Sequence, residues 1–285
     1  MIAPPAERRA LRLAFGLASA RGRRASNQDY AAFRLDPSHG PRGAAAVVAD
    51  GLGGHKGGRE AAETSVRAFI DGYYGASRHI PPLQAASRAL EAVNGWVAAQ
   101  GRRDPALENM ATTFTALLLT GGCAHVLHVG DSRAYRLSGG RLEQLTEDHV
   151  VDIGEPALRL RRAIGFEPQI LIDHAAIDLA PHDRLLLCTD GLHNALPLAR
   201  LTKILGEADA PPETARRLIE AALDAGSADN VTALVVEVLD VPQGALENFT
   251  PRAAAPPRDR DALLFWRMLS GVLALCLMLD LLLRR

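Results

Sequence analysis

The sequence predicts an α+β protein of packed layers with antiparallel sheets, on three observations. Short β-type apolar runs come in series, helical periodicities come in pairs, and no regular strand–helix alternation joins them. The β runs are Ala44–Ala49, Phe114–Thr120, Ala124–Val129, Arg133–Leu137, Ile170–Leu179, Arg184–Cys188 and Val231–Leu239. Most are continuously apolar or cleanly alternating, and Gly, Pro or Asp bounds them. Within AHVLHVGDSRAYRLSGGRLEQLT, the pair Gly139-Gly140 marks a tight turn between two alternating segments of a meander. Helical spacing first appears at Gly58–Tyr74, with Ala62, Val66, Phe69 and Ile70 on one face. It returns at Leu83–Gln100 with Leu90, Val93 and Val97, after the break at Pro81-Pro82, so a long αα-hairpin is expected. Two later helices are expected near Leu198–Leu205 and Pro212–Ala225.

The 285 residues carry a formal net charge of −1, which leaves no overall field to hold the protein on nucleic acid. Cys123, Cys188 and Cys276 are far apart and form no CxxC pair, as expected of small core residues in a reducing cytosol. Met1–Leu13 mixes Pro, Glu and arginines, so no secretory signal is expected there. The other end holds ALLFWRMLSGVLALCLMLDLLL, residues 262–283, followed by Arg284 and Arg285. As a helix this segment is about long enough to span the ~30 Å of a hydrocarbon layer, the alternative being a terminal amphipathic helix that docks on the domain or on a partner. Arg267 and Trp266 suit the interface near one end, and Asp280 lies close to the other. The expected organisation is a lead at 1–11, a catalytic domain at 12–241, a Pro/Ala-rich linker at 242–261 and a transmembrane helix at 262–283. That places a cytoplasmic domain on the inner or plasma membrane.

Five aspartates carry the chemical signal: Asp29 in RRASNQD, Asp50 in VVADGLGG, Asp131 in HVGDSRAY, Asp190 in LLLCTDGL and Asp229 in GSADNVT. Any one Asp beside a small residue at a strand end is an ordinary turn former. As a set, most of them adjoining apolar β runs, they share a rim on which carboxylates can converge. Carboxylates gathered without histidine or thiolate partners repel one another unless a cation compensates. Such an oxygen-only set suits Mg²⁺, Mn²⁺ or Ca²⁺ in water-rich coordination, not zinc. Arg24, five positions before Asp29, is the basic residue placed to hold a phosphate.

Eight segments, in this order, resemble the motifs of the metal-dependent protein phosphatases, the protein phosphatase 2C family. They are RRASNQD, DGLGGHKGG, ATT at Ala111–Thr113, HVGDSRAY, LTEDH at Leu145–His149, RRAIG, LLLCTDGL and SADNVTALVV. The resemblance implies a four-layer α-β-β-α sandwich around a binuclear centre holding two Mn²⁺ or Mg²⁺ ions, with a weaker third. By position, Asp50 would bridge the central ions and the Gly51 carbonyl would bind one of them. Asp190 and Asp229 would complete the other shell, Gln28 and Asp29 would hold its waters, and Asp131 with Asp190 would take the third ion. Arg24 would grip the substrate phosphate. The implied activity is hydrolysis of phosphoserine and phosphothreonine in proteins by direct attack of the bridging water, opposing a cognate Ser/Thr kinase at the membrane. A catalytically inactive phosphoprotein-binding scaffold is the alternative on the same fold.

Two departures qualify the resemblance. Leu52 follows Asp50-Gly51 where some members carry a histidine, which argues for the bacterial type. The insertion between LTEDH and RRAIG is short, implying an open site. His55 is placed near the metals, whereas His128 and His149 are expected to be structural and His193 to have no catalytic part. Arg161-Arg162 is expected on a solvated face, and Thr112 and Thr113 are expected to brace the metal-site strands by hydrogen bonding.

Overall fold

The computed structural model of the chain describes residues 11–36, 42–52, 56–104, 107–152 and 158–242. The early elements are β1 (Arg12–Ala20), β2 (Asp29–Leu35), β3 (Ala44–Leu52), α1 (Lys56–Gly75) and α2 (Pro82–Arg103). Next come β4 (Ala111–Thr112), β5 (Phe114–Thr120), β6 (Cys123–Val129), β7 (Arg133–Ser138) and β8 (Arg141–Gln144). β9 (Val150–Asp152), β10 (Leu158–Leu160), β11 (Asp173–Asp178) and β12 (Arg184–Cys188) follow. The last are α3 (Asp190–His193), α4 (Leu198–Gly206), α5 (Pro211–Asp224) and β13 (Val231–Asp240). Two sheets organise them, with strand orders β1-β13-β12-β7-β8 and β11-β6-β5-β3-β2, and β4 pairs with β3. β9 and β10 form a separate hairpin between the LTEDH and RRAIG segments.

Three interlayer cores follow from the period-two alternation of the central strands. On β3, Ala44, Ala46 and Val48 face Leu185, Leu187, Leu234 and Val236 of the other sheet. The alternate residues Ala45, Val47 and Ala49 pack under Val66, Phe69, Leu90 and Val93 of α1 and α2. On the far side, Leu186, Cys188, Ala233 and Val235 pack under Leu201, Ile204, Ala215 and Leu218 of α4 and α5. The order is therefore helix pair, sheet, sheet, helix pair. Central strands buried on both faces are apolar at most positions, and each large apolar side chain so buried contributes about 1.5–3 kcal/mol.

The hairpin at Gly139-Gly140 forms as expected, with Ser138 opposite Arg141 and both glycines at positive φ, 55° and 80°. Such a turn matches the twist of the strands it joins. Three results differ from expectation. β1, β2 and the short strands β4, β9 and β10 were not anticipated. β11 begins at Asp173 and not at Ile170, because Ile170 and Ile172 pack against the α1–α2 core. Arg162 is not on a solvated face, as it pairs with Asp173 at 2.8 Å. Cys188 is buried and Cys123 half-buried, both as free thiols. The linker and apolar segment expected beyond residue 242, with Cys276 in them, lie outside the described residues, as do the lead before Leu11 and His55. Among the described residues no helix is long and apolar enough to cross a membrane.

Candidate active site

Asp29 opens β2 and stands directly opposite Asp50 of β3, a cross-strand pair of like charges that by itself weakens a sheet. Alternation turns both toward the space between the sheets, in line with Ala31, Ala46 and Val48 of the central core. From the other sheet, the hydroxyls of Thr189 and Thr232 donate to Asp29 Oδ2 at 2.8 and 2.7 Å. Asp29 Oδ1 is buried with no hydrogen-bond partner.

Asp50 is held by its backbone, which leaves its carboxylate directed at the other acidic residues. Its N–H donates to Thr113 Oγ1 at 2.9 Å, and its carbonyl accepts from Thr113 N at 2.9 Å and Thr112 Oγ1 at 2.8 Å. The two threonines therefore brace the strand as expected. Thr113 Oγ1 in turn shares a 2.7 Å hydrogen bond with Ser132 Oγ, tying the Asp50 strand to the Asp131 loop. At Gly51 a Cβ would stand 2.1 Å from the Gly58 carbonyl oxygen, so α1 can close onto the end of β3 only over glycine.

Asp190 opens α3 directly after β12, and Asp229 lies two residues before β13. Asn230 fixes the β1–β2 loop above them. Its Oδ1 accepts from Gln28 N at 2.8 Å, and its Nδ2 donates to the Arg21 and Ser26 carbonyls at 2.8 and 2.9 Å. Gly22, at φ 62°, lets this loop press against Asp229, whose carbonyl oxygen would be 2.0 Å from a Cβ. The loop thus delivers Arg24, whose guanidinium donates to Asp229 Oδ2 at 2.7 Å. Arg24, Asp190, Gly191, Asn194, Gly226 and Asp229 line one open cleft.

The carboxylates raise one another's pKa. Burial first, then Asp29, Asp190, Asp131 and Asp229, hold Asp50 well above the usual range. Burial likewise pushes Asp29 to about 7, against the opposing pull of the Thr232 and Thr189 hydroxyls. Asp131 rises to about 6 through burial and the charges of Asp190 and Asp148. Asp190 is raised by burial and by Asp229, while its hydrogen bonds, one of them with Asp50, pull the other way. All five predicted aspartates are therefore brought to one rim, and Arg24 is the cation that touches them by ion pair among the described residues. A site of this kind fits divalent cations: orphaned oxygen, raised pKa values and oxygen donors alone. Among the described residues, no three His, Cys, Asp or Glu form a ready-made cage.

The model of the family described as "Protein phosphatase 2C" matches residues 18–227. The chain belongs to the protein phosphatase 2C family. Among curated relatives it is 33% identical over 259 residues to serine/threonine protein phosphatase PstP of Mycobacterium tuberculosis, covering 83% of this chain and 47% of PstP. The chain thus spans about half the length of that relative. It is 31% identical to serine/threonine phosphatase stp of Listeria innocua, over 67% of this chain and 83% of the relative. Among solved structures it resembles the catalytic domain of PstP in complex with two manganese ions. The TM-score is 0.69 at 31% identity, over 80% of this chain and 99% of that one. The α-β-β-α layering described above is the architecture of the 2C family.

Several supporting residues escaped the sequence reading. Thr189, Thr232, Ser132 and Asn230 each bond to a predicted aspartate or to the chain segment beside one. The usable signal was polarity inside otherwise apolar runs, in LLLCTDG and NVTALVV. His193, not expected to act in catalysis, is buried with its Nε2 3.0 Å from the Asp131 carbonyl oxygen, and burial lowers it to about 4. His128 and His149 are structural, as expected. His128 sits between Thr115 and the Glu147 carbonyl, and His149 Nδ1 accepts from Gly130 N at 3.0 Å.

Proposed function

We propose that this chain is a Mn²⁺- or Mg²⁺-dependent protein serine/threonine phosphatase that hydrolyses phosphoserine and phosphothreonine by direct water attack. The observation that carries the reading is the like-charged cross-strand pair Asp29–Asp50, with Asp190, Asp229 and Asp131 crowded around it. Asp50, the Gly51 carbonyl, Asp190 and Asp229 would hold two ions, Asp29 would orient water beside them, and Asp131 with Asp190 would take a third. Bound divalent ions supply Lewis acidity, making water a nucleophile near neutral pH and offsetting phosphoryl charge. Arg24, at the mouth of the cleft and already beside Asp229, binds the substrate phosphate by charge-assisted hydrogen bonds. Leu52 offers no proton, so the leaving oxygen takes its proton from water.

The physiological setting is part of the same proposal. The domain acts on phosphoproteins at a membrane, tethered through residues 262–283, and opposes a Ser/Thr kinase there. The apolar length of that segment supports this placement.

The test is turnover of a phosphothreonine peptide by the full chain with Mn²⁺ or with EDTA, beside Asp50→Asn. Activity should require the metal and fall in the variant by more than the about 10–100-fold that losing an outer metal partner costs. A folded protein with no turnover in any divalent ion would instead make the chain a phosphoprotein-binding scaffold.

A further inference from the structure

Away from the acidic rim, the edge of the same domain carries two histidines on neighbouring strands. His125 lies on β6 and His174 on β11, strands paired in antiparallel register with His125 opposite Ala176 and His174 opposite Leu127. The two residues are diagonal neighbours on one face, within reach for long side chains. Their rings face one another, with His125 Nδ1 3.1 Å from His174 Nε2, and stack at an interplanar angle of 28°. Two imidazole nitrogens at that separation match the span of two ligands on one tetrahedral or tetragonal ion, whose metal–nitrogen bonds are about 2.0–2.1 Å.

We propose that His125 and His174 form a second metal site, selective for a borderline divalent transition ion such as Cu²⁺, Ni²⁺ or Zn²⁺. Imidazole suits these ions, whereas the carboxylate rim suits Mg²⁺ or Mn²⁺. The chain therefore holds a nitrogen site and an oxygen site whose metal preferences are opposite. Burial, and for His125 also the neighbouring ring, hold both histidines below their ordinary range, so the neutral ligand form is present at neutral pH. Whichever ring donates the present hydrogen bond need only shift its proton, through solvent, to its own far nitrogen. Both nitrogens then carry a lone pair, and a small turn of the exposed rings aims the two at one ion. Among the described residues no third His, Cys, Asp or Glu completes the set, so water fills the remaining positions. The bound ion clips edge strand β11 to β6.

Cu²⁺ is the sharpest probe, standing highest in affinity among the first-row divalent ions. The full chain, with Mg²⁺ present to occupy the oxygen site, should bind one Cu²⁺ with an electron paramagnetic resonance spectrum showing two-nitrogen coupling. His125→Ala and His174→Ala should each abolish that spectrum, while His125→Ala keeps its Mg²⁺-supported phosphopeptide turnover and its melting temperature in the absence of copper. His125→Gln serves if the alanine variant does not fold. No two-nitrogen spectrum from the parent chain, or the same spectrum in either variant, overturns the proposal. A chain inactive as a phosphatase but still showing the two-nitrogen signal would leave this site standing, because the nitrogen pair is independent of the acidic rim.

Discussion

Asp183 and Asp190 flank the two ends of one strand, β12, and their surroundings are opposite. Asp183 is buried and paired with a counter-charge: Arg136 donates to Oδ2 from Nε at 3.0 Å and from its terminal nitrogen at 2.6 Å, and Ala180 N donates to the same oxygen at 2.9 Å. Beside it, the buried Arg184 donates to the Leu205, Glu207 and Asp209 carbonyls around the end of α4, where a cation favours the helix dipole. At the other end, Asp190 meets Asp229 and Asp50, and the excess charge there is negative. Asp183 is the more deeply buried of the two, yet it has a direct ion pair, whereas Asp190 has none among the described residues. A chain that can build the Asp183 end can build neutrality where it needs stability. The crowded carboxylates at the Asp190 end are kept for a charge that comes from outside.

Arg136→Ala breaks the neutral end, and the largest effect is expected there. It leaves a buried carboxylate without its cation, at a cost of about 3–5 kcal/mol. Urea denaturation should show that loss, while turnover at saturating Mn²⁺, well below the melting temperature, stays near the parent value. A loss under about 1 kcal/mol would mean that Asp183 does not depend on its arginine, and the contrast between the strand ends would fail.

Proton linkage sharpens the acidic end. Asp29 has a folded pKa of about 7 against 3.8 for an ordinary aspartate. The folded state therefore holds a proton that the unfolded chain releases. Its stabilising contribution is complete below about pH 4 and is lost as pH rises toward 7. At about 1.4 kcal/mol per pH unit the loss is roughly 4 kcal/mol at most. In EDTA the denaturation midpoint should fall across that window, and Mn²⁺ should flatten the curve. A metal-free protein equally stable at both ends of the window would show the carboxylates to be relieved by something other than a cation.

How much of this was readable beforehand depends on where a strand lies in its sheet. β5 and β12, buried on both faces, were read to the residue, and β3, β6, β7 and β13 nearly so, because continuous apolar runs leave no ambiguity. β1 and β2 are edge strands of half-buried residues, and RLAFGLASA and DYAAFRL carry neither a clean alternation nor a run. β11, another edge, was read too long because Ile170 and Ile172 serve a core without serving a ladder. The aspartates were legible because each interrupts or ends an apolar run. The Asp29 partners Thr189 and Thr232 left only a weak signal, a polar residue at the end of or inside an apolar run, which gains its meaning once the carboxylate is seen against it.

Arg24→Ala tests the cation paired with Asp229 at the acidic end. The pair with Asp229 is exposed, with 56% of the Arg24 side chain open to solvent, so folding stability should change by about 1 kcal/mol or less. Losing charge-assisted hydrogen bonds to a phosphate costs about 1.5–3 kcal/mol, so kcat/KM for a phosphopeptide should fall about 10–100-fold. Arg24→Lys keeps the charge without the fork and should recover only part of that. A large stability loss with unchanged kcat/KM would make Arg24 a structural partner of Asp229 alone.

The smallest effect belongs to Asp173→Asn, at the base of the β9–β10 hairpin. Asp173 accepts from Arg162 at 2.8 Å and from His149 Nε2 at 3.0 Å. His149 Nδ1 accepts the Gly130 N–H, so the ring proton sits on Nε2 and points at Asp173. The His149 carbonyl accepts from Arg161 N at 2.8 Å, and Ile164 and Thr112 exchange backbone bonds of 3.1 and 2.8 Å. The hairpin base is thus stitched to Gly130, which precedes Asp131, and to Thr112, which holds the Asp50 carbonyl. An asparagine can accept from one of the two donors but not from both, and Asp173 is nearly half exposed, so the stability loss should be about 1 kcal/mol or less. Amide exchange should quicken at Arg161 and Ile164 and stay slow along β13, whose partners lie in the other sheet. Equal quickening in both places would mean that the hairpin base and the acidic rim open as one unit, and that the hairpin has no independent hold on either aspartate loop.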